Sequence, residues 1–315
     1  MDSEALVHLA LEALGCSQKE LADRLGVSPT QISKWKKDEH MSLDMERKLR
    51  VMAKIGDKNP SFVRFAGSLE AAKKWEALIQ YLAEFADEDE ETGYDTPPLT
   101  DELDLLCSMT FHCLREMGVE LPKTFPNELD VDYEDSPDDL WDLLDANPYS
   151  SLIFKIYKSF TNVYGFYAAY VSELVHDTDL DLWESVGSEI DACLLALAAS
   201  KIEIEKGEVV ATKFQEFKDN ITNDYEKWLN VVKERAFRAG IPLRAELLNM
   251  VYGSDEDLRE EAESESLGFN ASRLHPDIYM DELLRGMRVI HQVLPAIIEK
   301  LGIDFKLDVS ELRTK

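Results

Sequence analysis

The chain has 315 residues, of which 45% are hydrophobic, while only 14 are glycine and 11 are proline. This composition excludes wholesale disorder, and the length is sufficient for one small and one large domain. No long stretch alternates with period two, so we expect a mostly all-α protein. The charge is strongly acidic, with 63 Asp and Glu against 34 Lys and Arg and a formal net charge of −29.

The acidic excess lies entirely beyond residue 58. Residues 1–58 contain ten basic and ten acidic side chains, whereas the other 257 residues contain 24 basic and 53 acidic ones. Because an acidic surface repels nucleic-acid phosphates, the neutral N-terminal part is the better candidate for contact with an anionic partner. The acidic remainder is expected to keep the protein soluble.

The cysteine spacing and the apolar segments bear on metal binding and on membrane association. Cys16, Cys107, Cys113 and Cys193 have no metal-ligand spacing, so we expect reduced thiols and neither a metal nor a cofactor. The first residues lack a signal-peptide pattern, and the apolar segment 152–175 is interrupted by charged and polar residues. These features predict a cytoplasmic protein that does not contact a membrane.

Four short helices are predicted within residues 1–58. The first covers about residues 6–14, the second 18–25 and the third 29–37, and a fourth follows residue 42. Serines precede three of them as N-caps, namely Ser17, Ser28 and Ser42, and Gly26 stops the second. Pro29 occupies the first helical position of the third.

Beyond residue 58 we interpret 59–98 as a helix and an acidic linker, and 99–315 as an acidic α-helical domain. Thr100 is expected to cap a helix that reaches Met117, and the acidic run 255–265 is expected to be a solvated loop. Residues 203–211 could form a short hairpin. The remaining helices are predicted at about 69–85, 150–175, 180–204, 213–237, 243–252 and 277–301.

Residues 17–35 satisfy several requirements of two helices joined by a tight turn. Four large apolar side chains provide an inward face, namely Leu21, Leu25, Ile32 and Trp35. Ala22 is small where the two helices cross, and Gly26 accepts the left-handed backbone that the turn needs. Their joint occurrence is much more specific than any one of them.

This segment resembles the Cro/C1-type, phage-repressor-like helix-turn-helix family. The family signature appears here as Gln18, Ala22, Gly26-Val27-Ser28, Ile32-Ser33 and Trp35. The resemblance covers about fifty residues and implies an N-terminal domain of four to five helices that binds double-stranded operator DNA. Many family members continue with an acidic residue and a glycine two positions later, where this chain has Lys36-Lys37-Asp38-Glu39-His40.

The resemblance also implies which side chains contact DNA, because the second helix of such a motif lies in the major groove. The base-reading candidates are Ser28, Thr30, Gln31, Ser33 and Lys34. Lys34 suits guanine, whereas Gln31 or Thr30 suits adenine or the thymine methyl group. Gln18 would bond a phosphate, and Lys36 and Lys37 suit backbone phosphates.

A neutral DNA-binding domain with few cations binds weakly as a monomer, so we expect a homodimer that engages two half-sites. The sequence therefore predicts a transcriptional regulator, a repressor in the leading interpretation. Its acidic helical region would dimerise and respond to a small-molecule or protein effector.

Two alternatives belong to other classes. An antitoxin-like or anti-defence protein would use its acidic clusters, 128–145 and 255–265, to bind a basic partner. Arg285 and His291 fall in the loose spacing of helical ribonuclease toxins, but such spacing arises easily by chance. No phosphate loop, catalytic triad order or zinc-protease motif is present, and we expect the protein not to be an enzyme.

Overall fold

The computed structural model describes residues 3–122, 124–133, 140–182, 190–204 and 210–303, and at residues 190–192 it describes the backbone alone. Within these ranges the chain is all-α, as the composition predicts, and its only strand-like pairings are the isolated bridges Val119–Ala211 and Arg244–Asp277. None of the described helices combines the length and apolarity needed to cross a bilayer.

The helices of the N-terminal half are α1 (Ser3–Leu14), α2 (Gln18–Leu25), α3 (Pro29–Trp35), α4 (Leu43–Ala53), α5 (Pro60–Ala66), α6 (Leu69–Glu88), α7 (Pro97–Thr100) and α8 (Leu103–Glu116). Those that follow are α9 (Leu140–Ala146), α10 (Pro148–Tyr170), α11 (Ser172–His176), α12 (Ile190–Lys201), α13 (Phe214–Ala239), α14 (Leu247–Tyr252), α15 (Asp255–Ser266) and α16 (Ile278–Leu301).

Helices α1 to α4 form a compact N-terminal head. Helix α1 packs against α3, α4 and α5, and α2 packs against α3. Leu6, Leu21, Ile32 and Leu49 are fully buried where these helices meet. The predicted second helix and the three serine N-caps are confirmed, while the third helix ends at Trp35 rather than near Lys37.

Helix α5 joins the head to the body, by which we mean the helices from α6 onward. It contacts α1 on one side and α6 and α8 on the other. Phe62 of α5 meets Phe111 of α8 edge to face, with ring centroids 4.9 Å apart, and Phe111 meets Trp75 of α6 at 5.5 Å. All three rings are buried, so the head and the body share one continuous apolar core.

Helix α10 is the central element of the body. It packs against α6, α9, α11, α12, α14 and α15, and most of its residues are buried. Tyr157 and Phe166 are fully buried, and the Tyr157 hydroxyl lies 2.7 Å from Thr110 Oγ1. The aromatic stretch of this helix therefore packs in the core.

Two local predictions are wrong. Thr100 is the last residue of the short helix α7 and does not cap α8, because the Pro97-Pro98 pair starts a turn of its own. The acidic run 255–265 is not a loop but helix α15, which begins with a capping box from Ser254 to Asp257. Leu258 and Ala262, four residues apart, are its two buried residues.

The segment predicted as an acidic linker contains a packed loop after α6. Thr92 and Thr96 are fully buried there, and the Thr92 hydroxyl donates to Glu90. The division into 1–58, 59–98 and 99–315 stays a prediction. Part of the predicted helix 180–204, residues 183–189, and most of the hairpin segment, residues 205–209, lie outside the described residues.

Close packing between α10 and this loop generates a first prediction. A Cβ added at Gly165 would lie 2.4–2.7 Å from the side chain of Thr92, which is too close. Gly165→Ala should therefore lower the free energy of unfolding by about 1–3 kcal/mol, although alanine favours helices. Urea denaturation followed by circular dichroism measures this change.

Gly286→Ala is the matched control, because nothing lies within 4 Å of its added Cβ. Equal stability of both variants would contradict the packing argument.

Glu261 of α15 generates a pH prediction. Its Oε1 accepts a hydrogen bond from Asn249 at 2.6 Å, and burial is the main cause that raises its pKa to about 7. Since the folded pKa lies above the unfolded value, the carboxyl's stabilising contribution is full at acidic pH and is lost as pH rises towards 7. Glu261→Gln should raise stability at pH 8 by about 1–2 kcal/mol, after a discount for partial exposure, and change little at pH 4.

Denaturation of wild type and Glu261→Gln across pH 4–8 measures this difference. Glu260→Gln is the control, because Glu260 is an exposed neighbour on the same helix. A gap between wild type and Glu261→Gln that stays constant with pH would contradict the assignment.

Candidate nucleic-acid interface

Local capping sets the bend between α2 and α3. Ser17 and Glu20 form a capping box at the start of α2, and the Ser17 N–H donates to Glu20 Oε2 at 2.7 Å. Gly26 ends the helix in the left-handed conformation with φ of 68°. Because a side chain would be strained there, glycine fixes the turn that leads into α3.

The two helices of the motif are tied together by Gln18. Its Nε2 donates to the Pro29 backbone oxygen at 2.9 Å and to Ser33 Oγ at 2.6 Å, and Ser33 Oγ in turn donates to the Pro29 oxygen at 3.1 Å. Both amide hydrogens of Gln18 are thus engaged within the motif. The Glu20 N–H donates to Ser17 Oγ, so the backbone N–H groups of Gln18 and Lys19 are the first-turn donors left for a phosphate here.

Helix α3 has one buried face and one exposed face. Ile32 and Trp35 are buried, and the prediction that Trp35 belongs to the core is confirmed. Ser28 caps the helix, with its Oγ accepting from the Gln31 N–H at 3.2 Å. Thr30 and Lys34, four residues apart, are exposed together. The arrangement presents one short row of polar side chains to solvent.

Two structural groups can be distinguished among the predicted contact residues of α2 and α3. Thr30 and Lys34 stand free of the motif's internal hydrogen bonds, although the Lys34 ammonium lies 3.6 Å from Glu39 in an exposed ion pair. Such a pair contributes only about 0.2–1 kcal/mol, so a guanine or phosphate can displace it. Gln18, Ser28 and Ser33 brace or cap the motif. The base-reading and phosphate roles of all eight residues stay predictions.

Lys36 and Lys37 follow the end of α3. Lys36 is the C-cap residue and is half-buried, whereas Lys37 is exposed. Burial lowers the pKa of His8, with smaller contributions from the cations Arg64 and Lys36. Lys36 and Lys37 thus place two cations directly after α3, next to the acids Asp38 and Glu39.

The loop after α3 keeps its shape without the glycine of the family pattern. Asp38 occupies that position in the left-handed conformation, with φ of 59°. The Ser3 N–H donates to Asp38 Oδ1 at 2.9 Å, and the Ser3 hydroxyl lies 3.0 Å from the same oxygen. Asp38 thus fastens the loop to the start of α1, and these hydrogen bonds offset the unfavourable backbone conformation.

Sequence reasoning missed Lys19 as a candidate contact. It is exposed at the second position of α2, next to the backbone N–H groups that point out of the first helical turn. A cation at that position complements the attraction of the helix N-terminus for an anion. The position of Lys19 beside Gln18 was the signal in the sequence.

Comparison with known proteins agrees with this geometry. Residues 7–47 match the family model described as helix-turn-helix, which is of the Cro/C1 type. The N-terminal region is therefore a Cro/C1-type helix-turn-helix domain, as the sequence resemblance predicted. Neither the curated proteins nor the solved structures gave a significant match to the chain. The domain indicates a DNA-binding transcription regulator.

The loop anchor generates a prediction on head stability. Asp38→Ala should lower the free energy of unfolding by about 2 kcal/mol, since it removes the hydrogen bonds and keeps the strained conformation. Asp38→Gly should cost about 1 kcal/mol, because glycine relieves the strain, and Asp38→Asn should cost less than either. Thermal denaturation of the three variants measures the order. Glycine no better than alanine would contradict the role of the backbone conformation.

Proposed function

We propose that the protein is a transcriptional repressor that binds operator DNA as a homodimer through helix α3. The observation that carries the proposal is the exposed pair Thr30 and Lys34 on one face of a braced helix-turn-helix. An α-helix fits the major groove of B-DNA, which is about 12 Å wide, and its first residues then face base edges. The bracing by Gln18 supports this, because it holds α3 at a fixed angle to α2.

Each contact residue has a definite role in this proposal. Lys34 donates to O6 and N7 of guanine, and the Thr30 methyl group contacts a thymine methyl. Gln31, which is half-buried, reads adenine through its amide. Lys36 and Lys37 bind phosphates and position the head without selecting a sequence.

The dimer follows from the charge of the head. Ten basic and ten acidic side chains within residues 1–58 leave little net attraction for DNA. Two linked heads on two half-sites gain avidity that one head lacks, by a factor of about 10²–10⁴ when the spacing fits. The acidic body supports this arrangement, since it leaves the heads as the surfaces that DNA approaches.

We further propose that the body responds to a small molecule, and a cleft at the base of the head supports this. It has a volume of about 650 Å³ and is formed by α5, α8, α12 and α13. Apolar side chains such as Phe62, Phe65 and Phe217 line it together with His112 and Arg115. This size suits a small molecule. Because α5 also contacts α1, a molecule bound in the cleft would act directly on the helix that attaches the head to the body.

The acidic cluster on α15 favours a regulator over a protein that neutralises a basic partner. Asp255 accepts hydrogen bonds from Ser159 at 2.7 Å and from Asn162 at 2.9 Å. Arg259 forms ion pairs with carboxylates of its own helix and with Glu91. These acids already have partners within the same chain. The proposal likewise includes no catalytic step, and Arg285 and His291 are exposed surface residues in it.

Genome-wide recovery of bound DNA tests the proposed function. Thr30→Ala/Lys34→Ala should lose occupancy at the wild-type sites, because each side-chain contact to a base edge contributes about 1–3 kcal/mol of discrimination between bases. Lys36→Ala/Lys37→Ala is the comparison variant. It should weaken binding uniformly across sequences and lower the salt slope by about 1 for each phosphate that is no longer neutralised. Unchanged site occupancy by the Thr30/Lys34 variant would reject its role in base reading.

A further inference from the structure

The last described helix, α16, has an apolar stripe that no described residue covers. Met280, Met287, Leu294 and Leu301 recur every seven residues. Leu283, Ile290 and Ile297 each follow one of them by three positions. Every one of these side chains is between 36% and 66% exposed. A continuous apolar stripe of this size marks an interaction surface, unlike isolated exposed apolar residues.

Only the start of α16 is attached to the described part of the body. Ile278 is fully buried, the Tyr279 hydroxyl donates to the Lys233 backbone oxygen at 2.6 Å, and Glu282 forms an ion pair with Lys233. From Leu283 to the end of the helix all residues are exposed except the half-buried Ile298. A 24-residue helix is about 36 Å long, so most of α16 projects away from the described residues.

We propose that α16 pairs lengthwise with α16 of a second copy of this chain and is the dimerisation element. The inference deepens the proposed function and rests on it for the requirement of two heads. In heptad terms, Met280, Met287, Leu294 and Leu301 occupy position a, and Leu283, Ile290 and Ile297 occupy position d. This period of 3.5 residues is typical of a helix that packs along another helix with knobs-into-holes geometry.

The other heptad positions fit the same arrangement. Arg285, Gln292 and Glu299 are polar and lie on the face opposite the stripe, at position f. Pro295, within the helix, is at an outer position and takes no stripe position. Gly286 borders the stripe, and nothing lies within 4 Å of the place where its Cβ would be.

Charge favours a second copy over a basic partner. Helix α16 has three acidic residues and three basic ones, so its side chains are neutral in sum within a chain of net charge −29. The acids Asp281 and Glu299 lie away from the stripe, and Glu282 is paired with Lys233. A basic partner would find no acidic border along the stripe. Two copies of the chain, which repel each other elsewhere, meet at this helix with little like-charge repulsion.

The apolar area is sufficient for a stable pair. About half the surface of each stripe side chain is exposed, and flanking Leu284 and Val293 add to the patch. If each side chain contributes on the order of 80 Å², one copy buries roughly 700 Å², close to the ~800 Å² per partner of a standard interface. The total area buried by a lengthwise pair of α16 helices thus exceeds the ~1,000 Å² that a specific interface needs.

The mass of the full-length chain in solution tests the proposal. Sedimentation equilibrium at micromolar concentration should give twice the chain mass of 35.9 kDa for wild type. Met287→Glu/Ile290→Glu places two carboxylates in the stripe and should give the monomer mass. Gln292→Glu/Ala296→Glu adds the same charge on the opposite face and should stay dimeric. Circular dichroism and thermal denaturation at equal concentration verify that all three chains are folded.

DNA binding separates failure of this inference from failure of the proposed function. On duplexes recovered with wild type, the Met287/Ile290 variant should lose about 10²-fold or more in affinity for two half-sites and nothing for a single half-site. A monomeric wild type, a dimeric Met287/Ile290 variant or a dissociated control would overturn the role of α16. If the masses follow expectation but no site is recovered, the role of α16 stands and the DNA-reading proposal fails.

Discussion

The edge-to-face packing of Phe62 on Phe111 is the contact on which the placement of the head depends. Phe62 belongs to α5, which touches α1 of the head, and Phe111 continues through Trp75 into the core of the body. Because buried aromatic contacts of this kind are closely packed, they attach the head to the body rigidly, and no flexible linker separates the two. The orientation of α3 in space is therefore set by the body.

The rigid attachment of each head to its body sets the geometry of the proposed dimer. If two bodies pair through α16, the separation of the two α3 helices follows from rigid elements rather than from linker length. DNA half-sites repeat about every 34–36 Å, so such an arrangement selects a half-site spacing as well as a base sequence. The cleft beside Phe62 lies at the joint between head and body, where a small displacement would change that separation.

Sequence reasoning succeeded where structure is local and failed where it depends on contacts far along the chain. Ser17, Ser28 and Ser42 cap their helices as predicted, because a cap needs only its own first turn. Helix α15 was missed because acids dominate it and its core contact rests on two residues. In the interface, the exposed face of α3 was predictable, whereas the engagement of Gln18 with Ser33 needed the packed geometry.

Asp38 links two positions that are far apart in the sequence. Its carboxylate accepts from the Ser3 backbone N–H and lies within hydrogen-bond distance of the Ser3 hydroxyl, so loss of the hydroxyl would leave the N–H as the single donor. Its backbone conformation is one that glycine would adopt more easily. In related chains the two sites should therefore vary together. A hydroxyl residue at position 3 should accompany aspartate or asparagine at 38, and glycine at 38 should free position 3 to be any small residue that α1 can bury.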